Sequence, residues 1–290
     1  MRNNDERTGA VQNTDSPAPS QPQTGQTGLN FVLPTEFVEL PSKGRFYEEG
    51  HPLRNKDTIE IKQMTAKEED ILTSQSLLKQ GVAIDRFLQS IIVDNSIDIG
   101  SLIVGDKNAI IIASRTSGYG DTYETSVTCP ACGTPSDVPV SLTDSKRPTS
   151  GYIDTEALEP LEGVAGPNAL GNYCITVPVT KAVFEVKIMD GKSEKDFVKR
   201  VETRRKKKQG EALLTDQFKV YTVSISGVTD LRQIYKFIDQ LPVKDSRFLR
   251  NTYAKVVPNM DLKYDFFCTE CTHEQEVSVP ITAQFFWPDS

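Results

Sequence analysis

Two Cys-x-x-Cys turns lie far apart in this chain, and the residues around them repeat in register. Tyr123, Thr125 and Val127 lead into Cys129 and Cys132, and Val138, Val140 and Leu142 follow them. Tyr264 and Phe266 lead into Cys268 and Cys271, and Val277, Val279 and Ile281 follow. The offset is 139 residues for both cysteines and for all three apolar positions after them. Alternation of period two predicts strands, so each segment reads as strand, thiol-bearing turn, strand. Two such hairpins meeting tip to tip make a zinc ribbon, a closed tetrahedral site with four thiolates and no position for water. The opposing readings are two unrelated knuckles, or a remnant site without a metal. A redox Cys-x-x-Cys fits less well, because neither pair opens a helix as thiol activation requires.

Zinc and iron both accept four thiolates, and the sequence does not choose between them. The excursion from Gly133 to Phe267 spans 135 residues, far more than the usual separation of two knuckles. A metal would clip it shut, and structural zinc sites in peptides contribute on the order of 10 kcal/mol to folding. His273 could replace a missing thiolate, and otherwise is an exposed knuckle residue. Cys174, between Tyr173 and Ile175, reads as a small buried apolar residue.

The other constraints are broader. The chain has 290 residues, enough for one large domain or two small ones, with 33 basic and 40 acidic side chains. A net charge of −7 argues weakly against bulk binding of nucleic acid. Five cysteines, four of them in Cys-x-x-Cys pairs, favour metal over disulfide in a reducing compartment. No apolar run approaches the roughly 20 residues that span a bilayer. The N-terminus shows no apolar signal core, so a cytosolic start is expected.

Residues 1–28, rich in Asn, Thr, Gln, Ser, Pro and Gly, are expected to be a disordered tail. Residues 29–62 read as an extended arm in which Pro34, Pro41 and Gly44 break regular structure, ending in a short strand near Thr58 to Ile61. Residues 63–120 read as a helical unit. Thr65 and Glu68 have capping-box spacing, Gly81 supplies a stop, and Ile84, Phe87, Leu88, Ile91 and Ile92 follow the helical period. A further helix is expected from Asp106 to just before Gly118. Residues 121–142 and 260–284 are the two ribbon halves, and 143–259 the insertion between them.

The insertion begins with a Pro/Gly-rich loop over 143–171 and a strand carrying Phe184, Val186 and Ile188. A basic helix is expected from Ser193 to about Lys208. Leu214, Phe218, Tyr221 and Ile225 fit a helix ending at Gly227, with a strand possible because Val220, Thr222 and Val223 are β-branched. A helix capped by Thr229 and another ending before Pro258 complete it. The fold class expected is α+β.

The basic run Lys199, Arg200, Arg204, Arg205, Lys206, Lys207 and Lys208 reads as a solvated face, a site for an acidic protein surface or, least, a phosphate contact. The last aromatics, Phe285, Phe286 and Trp287, either pack back on the ribbon or anchor a partner. Two histidines, His51 and His273, stand in no nucleophile or metalloprotease motif, and no carboxylate pair is placed for acid–base work, so no enzyme is expected.

Five segments in order carry a resemblance. They are Leu40-Pro41-Ser42-Lys43-Gly44-Arg45-Phe46-Tyr47, Met64-Thr65-Ala66-Lys67-Glu68-Glu69-Asp70, Gly105-Asp106 leading to Arg115-Thr116-Ser117-Gly118-Tyr119-Gly120, Cys-Pro-x-Cys-Gly at 129–133, and the end from Pro280 to Pro288. Together they resemble the baseplate hub subunit, or hub assembly protein, of T-even-type contractile-tailed phages, over roughly residues 31–290. The insertion is longer than the resemblance leads one to expect, and the N-terminal tail lies outside it. The resemblance implies a structural role in the virion tail baseplate, built in the host cytoplasm, with other tail proteins and possibly a second copy as partners. Contacts are expected through Leu40, Pro41, Lys43, Phe46 and Tyr47 of the arm, through Lys199, Arg200, Arg204, Arg205 and Lys207 of the basic helix, and through Phe285, Phe286 and Trp287. The competing reading is a nucleic-acid-binding zinc-ribbon protein that uses residues 195–208 on phosphates.

Overall fold

A computed structural model describes residues 32–142, 161–208, 210, 212–260, 262–279 and 283–286. The tail at 1–28, most of the Pro/Gly-rich loop, Ile281, Trp287 and Pro288 lie outside the described residues. Chain contacts separate Met1–Pro34 from Thr35–Ser290, and the account below concerns the second unit. It is α+β, with small antiparallel sheets among the helices.

Strands β1 (Thr35–Glu39) and β2 (Thr58–Lys62) pair antiparallel, Phe37 opposite Glu60. The arm was expected to be irregular. The six residues between Pro34 and Pro41 are enough for a five-residue strand, and β2 supplies its hydrogen bonds. Helices α1 (Ala66–Thr73), α2 (Gln75–Gln80), α3 (Ala83–Ile91) and α4 (Val104–Tyr119) follow. The capping box forms as its spacing predicts, with the Thr65 amide donating to Glu68 Oε2 at 3.0 Å. Ser74, with ψ of 106°, interrupts what reads as one helix, and Gly81 at φ +68° ends it. On α3, Phe87, Leu88 and Ile91 are fully buried.

Hairpin β3 (Thr122–Thr128) and β4 (Pro135–Ser141) comes next. Beyond it lie β5 (Val164–Ala165), β6 (Tyr173–Thr176), β7 (Val183–Val186), α5 (Gly191–Lys206), α6 (Leu213–Tyr221) and β8 (Thr222–Ile225). Helices α7 (Leu231–Asp239) and α8 (Val243–Val256) and the hairpin β9 (Lys263–Phe267) and β10 (Glu274–Ser278) end the series, before a 3-10 turn at Ala283–Phe286. Strands β5 to β8 form one antiparallel sheet in sequence order, so the insertion is less purely helical than its sequence suggests. Helix α6 passes into β8 without a loop, where the β-branched pair Thr222 and Val223 takes the chain from one period to the other. Two caps differ from expectation. Asp190 caps α5, accepting from the Ser193 amide at 2.8 Å, and Asp230 caps α7, accepting from Arg232 at 2.9 Å. In each case a carboxylate sits at the N-cap position, three residues before Ser193 and one after Thr229.

One apolar cluster runs from Val38 on β1 through α3 and α4 to β6–β8, α8 and Phe286. The arm belongs to it. Asp106, on the first turn of α4 and fully buried, accepts from the Ser42 amide at 2.9 Å, the Ser42 hydroxyl at 2.5 Å and the Tyr47 hydroxyl at 2.7 Å. Burial pushes its carboxyl above the usual range while the three donors pull against it. Tyr47 in turn stacks on His51, ring centroids 4.3 Å apart. Gly44 at φ +66° lets the arm turn where a Cβ would stand 2.3 Å from the Leu53 carbonyl. Gly105 lets α4 approach the end of α8, since a Cβ there would stand 2.0 Å from the Pro258 carbonyl.

The arm is therefore no free docking strap. Leu40, Pro41 and Tyr47 are buried, and Phe46 is half-buried with its ring 6.0 Å from Tyr173. Replacing Asp106 with Ala strands three buried donors and should lower folding stability by about 3 kcal/mol or more in chemical denaturation. A loss below about 1 kcal/mol would show that the arm is held by apolar burial alone.

A candidate four-cysteine metal centre

Each hairpin ends in a turn whose backbone is closed in the same way. In the first, the Cys129 amide donates to Thr134 O at 2.9 Å and the Gly133 amide to Cys129 O at 2.8 Å. In the second, the Cys268 amide donates to His273 O at 2.9 Å and the Thr272 amide to Cys268 O at 2.9 Å. These atoms correspond at the offset of 139, and so does the strand register, Thr125 opposite Val138 and Tyr264 opposite Val277. The repeat legible in the sequence is thus a repeat of structure.

The two turns meet. All four sulfurs lie within 4.8 Å of one another. Cys129 Sγ is 3.6 Å from Cys271 Sγ, and Cys132 Sγ is 3.6 Å from Cys268 Sγ. Exchanging the halves converts one pair into the other, so the cluster has an approximate two-fold relation. Burial follows it: Cys129 and Cys268 are buried, Cys132 and Cys271 exposed. The spacing is far beyond the roughly 2.05 Å of a disulfide. It is close to the edge of about 3.8 Å that four sulfurs about 2.3 Å from a central ion would have. The donor set therefore fits a tetrahedral, thiolate-preferring metal ion.

The titration of the thiols shows why a cation suits this place. The Thr134 hydroxyl, 3.4 Å from Cys132 Sγ, and the Thr134 amide hold Cys132 down at about 6. A backbone hydrogen bond at His273 favours the Cys271 thiolate, yet desolvation and the protons shared with the other three sulfurs push Cys271 up to about 12. Cys132 thus favours its thiolate and Cys271 its thiol, an opposition that a bound divalent cation would resolve.

Little else holds the tips together. Their apolar contact comprises buried Cys129, Phe266 and Cys268, with Val127, Val138, Tyr264 and Val277 partly covered. The base of the first hairpin is better fixed. Buried Arg115 donates to Gly120 O at 3.1 Å, Thr122 O at 3.4 Å and Phe285 O at 3.3 Å, joining the end of α4, the start of β3 and the C-terminal turn. Sequence reasoning met Arg115 only as part of a motif; an arginine one turn before a helix-ending Gly-x-Gly is the signal that could have marked it. His273 turns to Gln275 Oε1 at 3.4 Å rather than joining the sulfurs, and Cys174 lies half-buried on β6.

The other singled-out residues separate into two groups. Phe285 and Phe286 are fully buried, their rings 4.9 Å from Tyr123 and 5.1 Å from Phe87, so they pack back on their own chain rather than face a partner. In the arm Lys43 is half-buried; on α5 Lys199 and Arg205 are exposed, as is Lys207 just past its end, and Arg200 and Arg204 are engaged internally. Arg200 donates to Tyr235 Oη at 2.6 Å, and Arg204 grips buried Asp216 with one hydrogen bond of 3.1 Å and an ion-pair contact of 2.6 Å.

The two knuckles differ at one strained position. Both Gly133 and Thr272 occupy left-handed backbone, φ +75° and +56°, and a β-branched residue pays there what glycine does not. Thr272→Gly should therefore stabilise the second hairpin by about 1 kcal/mol, and Gly133→Ala, which meets no atom within 4 Å, should destabilise the first by about as much. Amide exchange at Phe266 and Val127 checks both signs, and effects of the same sign would contradict the strain.

No curated protein sequence and no solved structure matches the chain. Residues 34–159 match the sequence model of the family described as T4 bacteriophage base plate protein. That span takes in the arm, helices α1 to α4 and the first cysteine knuckle, while the second knuckle is supplied from beyond it. Over these residues the chain is similar to the T4-type phage baseplate proteins.

Proposed function

We propose that this protein is a non-catalytic structural subunit of the hub of a contractile-tail baseplate, closed by one zinc ion and bound to neighbouring tail proteins. The observation that carries this reading is the family match over residues 34–159. Its motifs have structural reasons: Ser42 and Tyr47 of the arm dock on Asp106 of the Gly-Asp pair, and Arg115 anchors the knuckle-bearing hairpin. These residues build a rigid body, which is what an assembly subunit requires of its interior.

In this reading the arm at 29–62 and the helical unit at 63–120 form the platform. Residues 121–142 and 260–284 form the zinc ribbon, and 143–259 form the insertion. Cys129, Cys132, Cys268 and Cys271 hold the ion, leaving no open coordination position and so no metal-bound water for chemistry. Zinc is favoured over iron because the role assigned to it is closure, without electron transfer. With Phe285, Phe286 and most of the arm buried, the exposed cations Lys199 and Arg205 of α5 and Lys207 just beyond it are the singled-out described residues left to meet partners. Assembly takes place in the host cytoplasm; no helix among the described residues is long and apolar enough to cross a membrane.

Affinity purification of the tagged full chain from infected cells tests the role. The expected result is co-purification with proteins identified by mass spectrometry as baseplate components, reduced about tenfold by combining Lys199→Glu, Arg205→Glu and Lys207→Glu. A chain that purifies alone, and is missing from isolated baseplate assembly intermediates, would overturn the proposal.

A further inference from the structure

The C-terminal half of α5 and the start of α6 flank a hollow of about 320 Å³, lined by Val201, Arg204, Arg205, Lys208, Ala212, Leu213 and Asp216, whose carboxylate is taken up by Arg204. Val198, Val201 and Arg205 fall on one stripe of α5 at helical spacing, and Lys208 lies two residues beyond the helix end, at φ +51°. Val198 and Leu213 each keep 47% of their surface exposed, and Leu214, beside them, keeps 43%. Such side chains are not a solvated charged face. They make an apolar strip with a cationic rim.

The rim is built in advance. Arg204 is fixed by a hydrogen bond and an ion pair to Asp216, which is itself buried at 2% exposure. Arg200 is fixed by Tyr235 and lies over its ring, 5.1 Å from the centroid. A second hollow, of about 510 Å³, continues past Arg204 along Asp196, Lys199, Arg200 and Thr203. Residues 195–208 carry eight basic and two acidic side chains in a chain whose net charge is −7. The field is therefore positive here and acidic on balance elsewhere, which selects an acidic partner and orients it on this face.

We infer that the α5–α6 groove docks an acidic amphipathic helix of another tail protein, its leucine-type side chains entering between Val198, Val201 and Leu213 and its carboxylates meeting Arg205, Lys208 and Lys199. The inference rests on the partner-binding reading above and adds the chemistry of the partner. An amphipathic helix lays apolar anchors at i, i+3 or i+4 and i+7 into a groove, which is the spacing the α5 stripe presents. Single-stranded nucleic acid would want flat aromatic platforms for its bases. The groove offers aliphatic side chains, and Tyr235 is already covered by Arg200.

Fluorescence anisotropy on the purified full chain at about 0.15 M salt tests this with three labelled probes. One is a helical peptide of about 18 residues with Leu at the anchor spacing and Glu elsewhere. The second has each Leu replaced by Ser, and the third is single-stranded DNA of similar length. The expected result is binding of the Leu peptide about tenfold or more tighter than the Ser peptide, with Leu213→Glu and Arg205→Glu each weakening it about tenfold. Both substituted side chains are exposed, so folding should be unaffected, and circular dichroism checks that. Equal binding of the two peptides would reduce the groove to a plain charged face, tighter binding of DNA would make it a nucleic-acid site, and no binding would remove it; each overturns the inference. Since the probes are synthetic, failure here leaves the baseplate role to its own test.

Discussion

Four thiols within 4.8 Å of one another set the problem that the rest of this chain solves. Two of them come from a hairpin that ends near residue 142 and two from a hairpin that begins near residue 262, so everything between is a loop that must return to its start. For a flexible loop of that length the logarithmic part of the closure entropy alone is about 4 kcal/mol. The apolar core offsets much of it, because the sheet β5–β8 and helix α8 pack into the same cluster as α3 and α4. The core brings the hairpins near each other. Their tips share only three fully buried residues, one of them Phe266, and the last few ångströms fall to the sulfurs. Four sulfurs this close, at about the edge of a tetrahedral thiolate site, favour a cation at their centre, which is why the proposed zinc ion is assigned closure rather than chemistry.

The same logic explains the arm. An extended segment with Pro34, Pro41 and Gly44 reads as a strap for a neighbour, yet its polar groups are spent on its own chain. Asp106 takes three donors from it, and a buried carboxylate with that many partners fixes a conformation more than it adds net stability. Gly44 and Gly105 mark two places where backbone approaches backbone too closely for a Cβ. The arm, the helix start and the end of α8 are thus one packed unit, and the proposed partner contacts fall to what remains outside, the basic face of α5.

How much of this was legible depended on whether the signal was local. The two hairpins could be read because a period of two, a Cys-x-x-Cys turn and a fixed offset are all written in consecutive residues. The capping box at Thr65 and the apolar stripe of α3 could be read for the same reason. Strand β1 could not, because its hydrogen bonds come from β2, some twenty residues on. Strand β6 is four residues long and carries no alternation of its own; its neighbours on both sides define it. The burial of Tyr47, Phe285 and Phe286 was equally hidden, since an aromatic near a chain end has the same sequence whether it faces Asp106, Phe87 or a partner. The convergence of Cys132 with Cys268 was legible only through the repeat. Without it, 135 intervening residues would have hidden the pairing.

The most direct test of the central claim is the metal content of the purified full chain beside a Cys268→Ser variant. The account predicts about one zinc ion per chain, lost in the variant together with amide protection in both hairpins, because each knuckle contributes half of one tetrahedral site. Protection on α3 and β2 should persist in the variant, since their packing does not pass through the ribbon. A metal-free chain with both hairpins protected, or a Cys268→Ser variant that keeps its zinc, would contradict it.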